Sequence, residues 1–568
     1  QLVVVCANPR CEFSGDRSLP IVAVDDAVYH RLPAFLIATL DKFAALPRVG
    51  PCGALLGGAD RFDGTGFYGA AEPGLGSALD SPLPPPELII QDELHLISGP
   101  LGTMAGLYET AIEALCSPPG PTRRRPKIVA STATVRRAQD QIQGLFGRPL
   151  TQVFPPPGPD RTDSFFARVV PPATTPARLY LGIAAQGRNP KAVMRRVWLA
   201  LLGAAERAYA DAGGRTGGPT GGPTSGPTAG ANPADPYMTI LGYFNSLLEL
   251  GGARRLIEEE IQNTARGYGA RRRIGEAEGL FADRRSFSSV VELTSRVSTS
   301  DVALARQRLG RRFDESGRVD CAIATNMISV GLDIPRLGLM VVMGQPKTHA
   351  EYIQATSRIG RDDARPGLVV TLLNVHRPRD RSHYERFHHY HDTFYRTVEV
   401  GSVTPFSARA LDRGFPGAVV GLARHLLPEL TPAQGAERIG DVRSDLERRL
   451  LEIFTERLRH QPFADEAERE ERLRSVQDRL ADLLDAWQRV LEGYQDAGVA
   501  LQYQPGELPW AKPLMLDPLD DASGGPGAFG GSGWADRRKF RAGRSLRDVE
   551  PEVHLRWMNN GRNLAGDR

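Results

Sequence analysis

Residues 319–362 read VDCAIATNMISVGLDIPRLGLMVVMGQPKTHAEYIQATSRIGRD, and far upstream residues 88–99 read LIIQDELHLISG. Each stretch opens on an apolar run short enough to be a buried strand and then breaks into polar residues where that strand should end. In open α/β sheets ligands collect at that carboxyl edge. Leu88, Ile89 and Ile90 predict a strand with Gln91-Asp92-Glu93-Leu94-His95 at its tip. Two adjacent carboxylates there can divide two tasks: Asp92 holds a Mg²⁺ ion through water, and Glu93 orients and deprotonates an attacking water. A solvated acidic turn is the competing reading of this motif taken alone.

Three further stretches weigh against it. Residues 127–135, KIVASTATV, predict another strand ending in the small hydroxyl residues Ser131, Thr132 and Thr134, although Thr also favours ordinary strands. Residues 322–335 again run from strand to turn, with Gly331 and Asp333 at the bend. Residues 354–361, QATSRIGR, set Arg358 and Arg361 one helical turn apart, so both are expected on one helix face. Two guanidiniums on one face suit a γ-phosphate and the charge that develops on it.

In this order DELH, STAT, ATNMISVGLDIP and QATSRIGR resemble motifs II, III, V and VI of the superfamily-two DExH helicases. Thr39-Leu40-Asp41-Lys42, after the apolar Phe35-Leu36-Ile37, is similar to motif Ib. The resemblance implies an α/β fold of two RecA-like parallel-sheet lobes, the first incomplete, with a helical C-terminal region. It implies ATP and Mg²⁺ as cofactors, bound between the lobes by Asp92, Glu93, Gly331, Asp333, Arg358 and Arg361. Gln354 joins the catalytic set, and His95, Ser131, Thr132 and Thr134 couple the lobes. Thr39, Asp41, Lys42, Arg296, Thr325 and Asn326 then face nucleic acid. A narrower resemblance, carried by FLIATLDKFAALP, IIQDELHLISGPLGTMAGLYETAIEAL and FPPPGPDRTDSFFAR, is to the helicase subunit of the DISARM anti-phage defence system. It implies phage DNA as substrate and DrmB, a second subunit of that system, as partner.

Length and composition set bounds. The 568 residues carry a formal charge of only +3, so nucleic-acid binding must come from local basic patches. Five cysteines are sparse and suggest a reducing cytoplasm. No apolar run approaches the ~18–20 residues of a membrane span. No G-x-x-x-x-G-K-[ST] phosphate loop occurs, and the first residue is Gln1. The expectation is that the chain begins inside its first lobe, leaving a nucleic-acid helicase that lacks its phosphate loop. A catalytically idle, nucleic-acid-binding scaffold is the alternative.

The expected organisation is residues 1–160 as the back of the first lobe, 161–400 as the second lobe, and 401–568 as a helical region with a basic, Gly-rich tail. Residues 213–236, rich in Gly, Pro and Thr, read as a disordered insertion. Residues 53–80 are Gly-rich and read as a surface insertion. Cys6 and Cys11 have four residues between them and read either as part of a zinc site or as small buried thiols. Tyr268 beside residues 271–273 and the basic run 537–547 are candidate backbone-tracking patches. The histidine-rich run 377–395 reads as an amphipathic helix packed through Tyr384, Phe387, His391 and Phe394, with metal binding the competing reading, and residues 440–499 as long charged helix that forms a hairpin or packs on a partner.

Overall fold

The computed structural model describes all residues except 1–3, 118–124, 133–137, 157–158, 161–162, 164, 215–231, 273, 277–278, 295, 326–332, 363, 397, 400, 507, 519–532, 547–557, 560–561 and 564–568. The chain forms two compact units. Residues 1–153 and 400–568 make the first, and residues 154–399 the second.

In the first unit the strands Leu88–Gln91 and Lys127–Ala130 pair in parallel, with Gln91 opposite Ala130. The helix Gly99–Leu115 follows the upstream strand and packs on the helix Ala408–Leu426. Glycine allows that close crossing: a Cβ on Gly414 would lie 2.6 Å from Met104 Cε. One apolar cluster therefore mixes Leu107, Tyr108 and Ile112 with Leu411, Phe415, Leu450, Leu484 and Trp487. The sequence reading sets 401–568 apart from 1–160, whereas these residues share one core.

Ile439–Arg459 and Glu466–Asp496 are a helical hairpin. Asp465 caps the second helix by accepting from Glu468 N–H, while the Glu468 carboxylate accepts from the N–H of Ala464, the residue before the cap. The basic run 537–547 is engaged in part within its own unit, with Arg538 and Arg544 exposed. Arg489 grips Asp536 through two 2.8 Å bonds, Lys539 pairs with Asp482, and Phe540 is fully buried. The Gly-rich 53–80 stretch is likewise ordered, as a short 3₁₀ helix and a three-stranded antiparallel sheet.

A buried ionic group lies under this core. Arg457 Nη1 donates to Glu113 Oε2 at 3.1 Å, and Arg125 and Arg148 approach Glu113 Oε1 at 3.3 Å. Glu109, one turn earlier, is left with a buried Oε1 that has no partner among the described residues. Burial pushes its carboxyl up to about 8, against the attraction of Arg457. As pH rises from the ~4.3 of a free Glu toward that value, the unfolded chain gives up the proton and the folded chain holds it, so stability falls. Below both values the residue contributes no pH dependence. Glu109→Gln should therefore raise the melting temperature of this unit at pH 8 and change it little at pH 4. Scanning calorimetry showing equal shifts at both pH values would contradict that assignment.

The second unit is a six-stranded, all-parallel sheet in the order 179–183, 368–372, 339–343, 240–244, 321–324, 291–293. Ile240–Phe244 and Cys321–Ala324 are buried at every position because helices cover both faces. Asn189 caps the covering helix Pro190–Asp211, accepting from Lys191 N–H at 2.9 Å. Of the expected insertion 213–236, residues 215–231 lie outside the described residues, but its far end is packed. Asp235 is 2% exposed and takes bonds from Phe313 N–H at 2.7 Å and Arg336 Nε at 2.6 Å. Tyr268 is buried beside Phe281, so it cannot offer a face to a base, and Arg273 lies outside the described residues.

The histidine-rich run is two short helices, Pro378–Glu385 and Phe387–Asp392. Tyr390 and Phe394 are its buried anchors, and Tyr384 faces solvent. Among the described residues no helix is long and apolar enough to cross a membrane.

Candidate active site

Parallel pairing decides what stands at the tip of the first unit's small sheet. With Gln91 opposite Ala130, the residues that follow each strand, Asp92 and Ser131, are neighbours. Ser131 N–H donates to Gln91 O and Leu94 N–H to Ser131 O, both at 2.9 Å, so the two tips are laced together by main chain. Ser131 Oγ then donates to Asp92 Oδ1.

Glu93 is left-handed, with φ 52° and ψ 47°. For a side chain other than Gly or Asn that conformation costs ~1–2 kcal/mol. Its own N–H donates to Asp92 Oδ1 at 2.9 Å, and buried Leu94 anchors the next position. Gln141, from the helix Ala138–Phe146, donates to the Leu94 and Ile97 carbonyls at 3.0 and 2.9 Å and so fixes the whole turn. Sequence reasoning missed Gln141, because a lone Gln on a helix carries no motif. The turn leaves Asp92 exposed and Glu93 partly exposed at the tip.

His95, with a side chain only 6% exposed, joins the motifs: its Nδ1 lies 3.5 Å from Glu93 Oε2 and 3.2 Å from Thr132 Oγ1. Asp92, Glu93, His95, Ser131 and Thr132 thus stand together, while Thr134 lies outside the described residues.

The second unit gathers the other set. The helix His349–Thr356 is capped by Thr348, which accepts from Glu351 N–H at 3.2 Å. Its rotation is set by Tyr243 donating to Glu351 and by Tyr352 bonded to Thr371 at 2.8 Å. Gln354 on this helix is 8% exposed, and its buried Nε2 has no partner among the described residues. Arg358 and Arg361 are not on a helix face as expected. The helix ends at Thr356, Arg358 sits in the following turn, and Gly360 at φ 59° redirects the chain before Arg361. Gly360 is required there, since a Cβ would lie 2.3 Å from Gly367 N. Arg178 clamps this turn by donating through Nε and Nη2 to Ile359 O at 3.0 and 2.8 Å. Arg361 Nη1 pairs with Asp333 Oδ1 at 2.6 Å, and its Nε donates to Ser357 O at 3.1 Å. Gly331 lies outside the described residues.

Taken separately, each set suits phosphate chemistry: in the first unit an exposed and a partly exposed carboxylate that could meet a Mg²⁺ ion, and in the second a buried amide lacking an acceptor, followed in sequence by two guanidiniums.

The candidate nucleic-acid residues are less uniform. Thr39 is exposed, but residues 33–39 form no strand, and Phe35 and Ile37 face solvent. Asp41 accepts from Ser545 Oγ at 2.7 Å and Leu546 N–H at 3.1 Å, so its carboxylate is engaged within its own unit. Lys42 pairs with Asp25, and Arg296 with Glu292 at 3.2 Å. Thr325 is buried, and Asn326 lies outside the described residues. For the Cys6 and Cys11 pair, no group of three or more ligating side chains is placed to hold a metal among the described residues.

Residues 277–363 match the family model "Helicase conserved C-terminal domain". Over 449 residues the chain is 40% identical to DISARM protein DrmA of Bacillus paralicheniformis, a match covering 77% of this chain and 38% of that protein. The chain thus spans well under half the length of that curated relative. Among solved structures, DUF1998 helicase MrfA bound to DNA and AMPPNP superposes with a TM-score of 0.41 at 15% identity, covering 68% of this chain and 40% of that one. The Mycobacterium smegmatis helicase Lhr bound to ssDNA and AMP-PNP gives 0.40 at 14%, covering 72% and 42%. The chain is a homologue of DISARM protein DrmA and carries the helicase C-terminal domain.

Proposed function

We propose that this chain supplies the hydrolysing and γ-phosphate-facing residues of an ATP-dependent DNA helicase or translocase that acts in DISARM anti-phage defence. The observation that carries the reading is the laced tip: Asp92 bonded to Ser131, and His95 bonded to Thr132 with the Glu93 carboxylate 3.5 Å from the same ring nitrogen. A solvated acidic turn has no reason to hold a buried histidine between a strained glutamate and a neighbouring strand's hydroxyl.

Mg²⁺ on the nucleotide would supply charge neutralisation at the β- and γ-phosphates. Asp92 would hold it through water. Glu93 would orient a water and take its proton. His95 and Thr132 would pass the state of that site along the second strand. Gln354, Arg358 and Arg361 would meet the γ-phosphate from the second unit. DNA as the strand, DrmB as a partner subunit and a reducing cytoplasm complete the reading; all five cysteines are free.

The test is phosphate release by the complete protein with ATP, alone and with single-stranded or duplex DNA or with RNA. Stimulation by DNA supports the reading. DNA binding without ATP turnover would favour the idle scaffold. The 568-residue chain by itself contains no G-x-x-x-x-G-K-[ST] sequence, so it should bind DNA yet release phosphate only at background. Robust turnover by this chain alone would show that other residues cradle the β-phosphate.

A further inference from the structure

A crevice of about 490 Å³, counted out to its mouth, opens at the carboxyl edge of the six-stranded sheet, and every residue that lines it belongs to the second unit. The topology of the sheet makes it. After strand 179–183 the chain crosses to one face, where the helix Pro190–Asp211 buries Trp198 and Leu202 with Val370 and Leu372. After the neighbouring strand 368–372 it crosses to the other face, where Tyr390 and Phe394 pack with Met340 and Val369. Adjacent strands that send their chains to opposite faces leave a gap at that edge, and ligands bind there in open α/β sheets. Ala185, Val193, Met343 and Leu373 give this gap an apolar lining.

Its polar groups are of both kinds. Arg377 Nη2 donates to Glu249 Oε1 at 2.8 Å, while Glu249 Oε2 is buried with no donor among the described residues. Asn374 Oδ1 accepts from His376 N–H at 3.0 Å, which leaves the Asn374 NH₂ to donate. Arg188 lines the crevice from an exposed position. Asp380 is already filled, accepting from Gln345 and Asn374 N–H at 3.0 and 2.9 Å. The guanidiniums of Arg188 and Arg377 balance the carboxylates of Glu249 and Asp380 in charge. A phosphate offers only acceptors and would set its charge against the unpartnered Glu249 oxygen, so this lining disfavours it. A nucleobase presents an apolar body with donors and acceptors on its edges. We propose that the crevice takes one unpaired base of a nucleic-acid strand. Glu249 Oε2 accepts from a ring or amino N–H of that base, and Arg188 and Asn374 donate to its ring nitrogen or carbonyl oxygen. Arg377 is a positioning residue that holds Glu249.

The inference rests on the proposed nucleic-acid role and deepens it. Its test compares, in the complete protein, binding of a short oligo(dC) strand with binding of the same strand carrying abasic sites, which keep every phosphate and lack the bases. The wild-type protein should hold the abasic strand ~10-fold more weakly, the weight of one well-held base. Ala185→Phe fills the crevice. It should lose most of that difference and bind the abasic strand within about twofold of wild type, because backbone contacts are untouched. Glu249→Gln removes the anionic acceptor and should also narrow the difference. A fluorescent adenine analogue, quenched by stacking in the free strand, should brighten on binding to the wild-type protein and stay dim with Ala185→Phe, since no aromatic ring lines the crevice. Equal binding of the two strands by the wild-type protein, or an undiminished difference in both variants, overturns the base site and leaves the functional reading standing. If Ala185→Phe lowers the melting temperature, Glu249→Gln alone decides. Tighter binding of both strands by Glu249→Gln, with their difference unchanged, assigns the crevice to a phosphate and overturns the proposal. Release of the strand by excess free deoxycytidine assigns it to a free nucleoside and does the same. If the wild-type protein binds neither strand, the functional reading fails and the base site fails with it.

Discussion

Glu93→Gln in the complete protein is expected to bind ATP and DNA near wild-type affinity and to lose turnover by ~10²–10⁴, the contribution of a positioned general base. The substitution is close to isosteric. Gln keeps an acceptor facing His95, 3.5 Å away in the native chain, and leaves the Glu93 N–H bond to Asp92 untouched. What it removes is the ability to accept a proton from water. The left-handed backbone at this position makes a second comparison useful. Glu93→Asn keeps a polar side chain and tolerates positive φ better, so it should raise the stability of the first unit slightly while losing turnover at least as severely. A residue kept in a strained conformation, where a less strained one would be more stable, is the pattern expected of a functional position. Stopped-flow phosphate release and calorimetry on the same preparations measure both effects. Wild-type turnover in Glu93→Gln would remove Glu93 from the chemistry.

The legible parts of this chain are those where local pattern and fold agree. The inner strands of the large parallel sheet, such as Ile240–Phe244 and Cys321–Ala324, are short apolar runs because both faces are covered, and such runs stand out between polar turns. Parallel pairing then places the residues after each strand side by side, so DELH and STAT in sequence become Asp92 beside Ser131 and His95 beside Thr132. The illegible parts depend on partners remote in sequence. Asp41 looks free for nucleic acid until Ser545, 504 positions away, is found on it. Lys539, in the basic run beyond residue 537, looks open until Asp482 and Asp536 are found beside it. Residues 53–80 look like loop because glycine dominates, yet Gly58 and Gly69 sit where strands pass so closely that a Cβ on Gly69 would lie 2.1 Å from Gly58 O. Periodicity also misleads at Arg358 and Arg361, where a three-residue spacing suggests a helix face but Gly360 has already ended the regular backbone.

The largest loss is expected at Arg361. In this structure its guanidinium is held by Asp333 at 2.6 Å, with both side chains partly open to solvent. Exposed pairs of this kind contribute ~0–1 kcal/mol, so Asp333 orients Arg361 without trapping it. A γ-phosphate carries more charge and presents oxygens to which a planar fork can donate twice, and it should displace Asp333 readily. Arg361→Ala should therefore leave the fold and ATP affinity nearly unchanged while lowering turnover by ~10³–10⁵, the range known for arginines that stabilise a departing phosphoryl group. Arg361→Lys should recover little, because an ammonium cannot reproduce the fork. Asp333→Asn is the informative control. If Asp333 only parks the arginine, its loss should leave kcat within a few-fold of wild type. If Arg361 works only while Asp333 aims it, both variants should fall together, and the double variant should fall no further than Arg361→Ala alone. Losing Arg358 and Arg361 together should also erase any ATP-dependent change in DNA affinity, since no guanidinium in this turn would then respond to the γ-phosphate. Glu93→Gln should retain that response, because it blocks the chemistry and leaves recognition intact. Should Arg361→Ala hydrolyse ATP like wild type, the turn at residues 357–361 is a structural clamp around Arg178 and not part of the phosphate site.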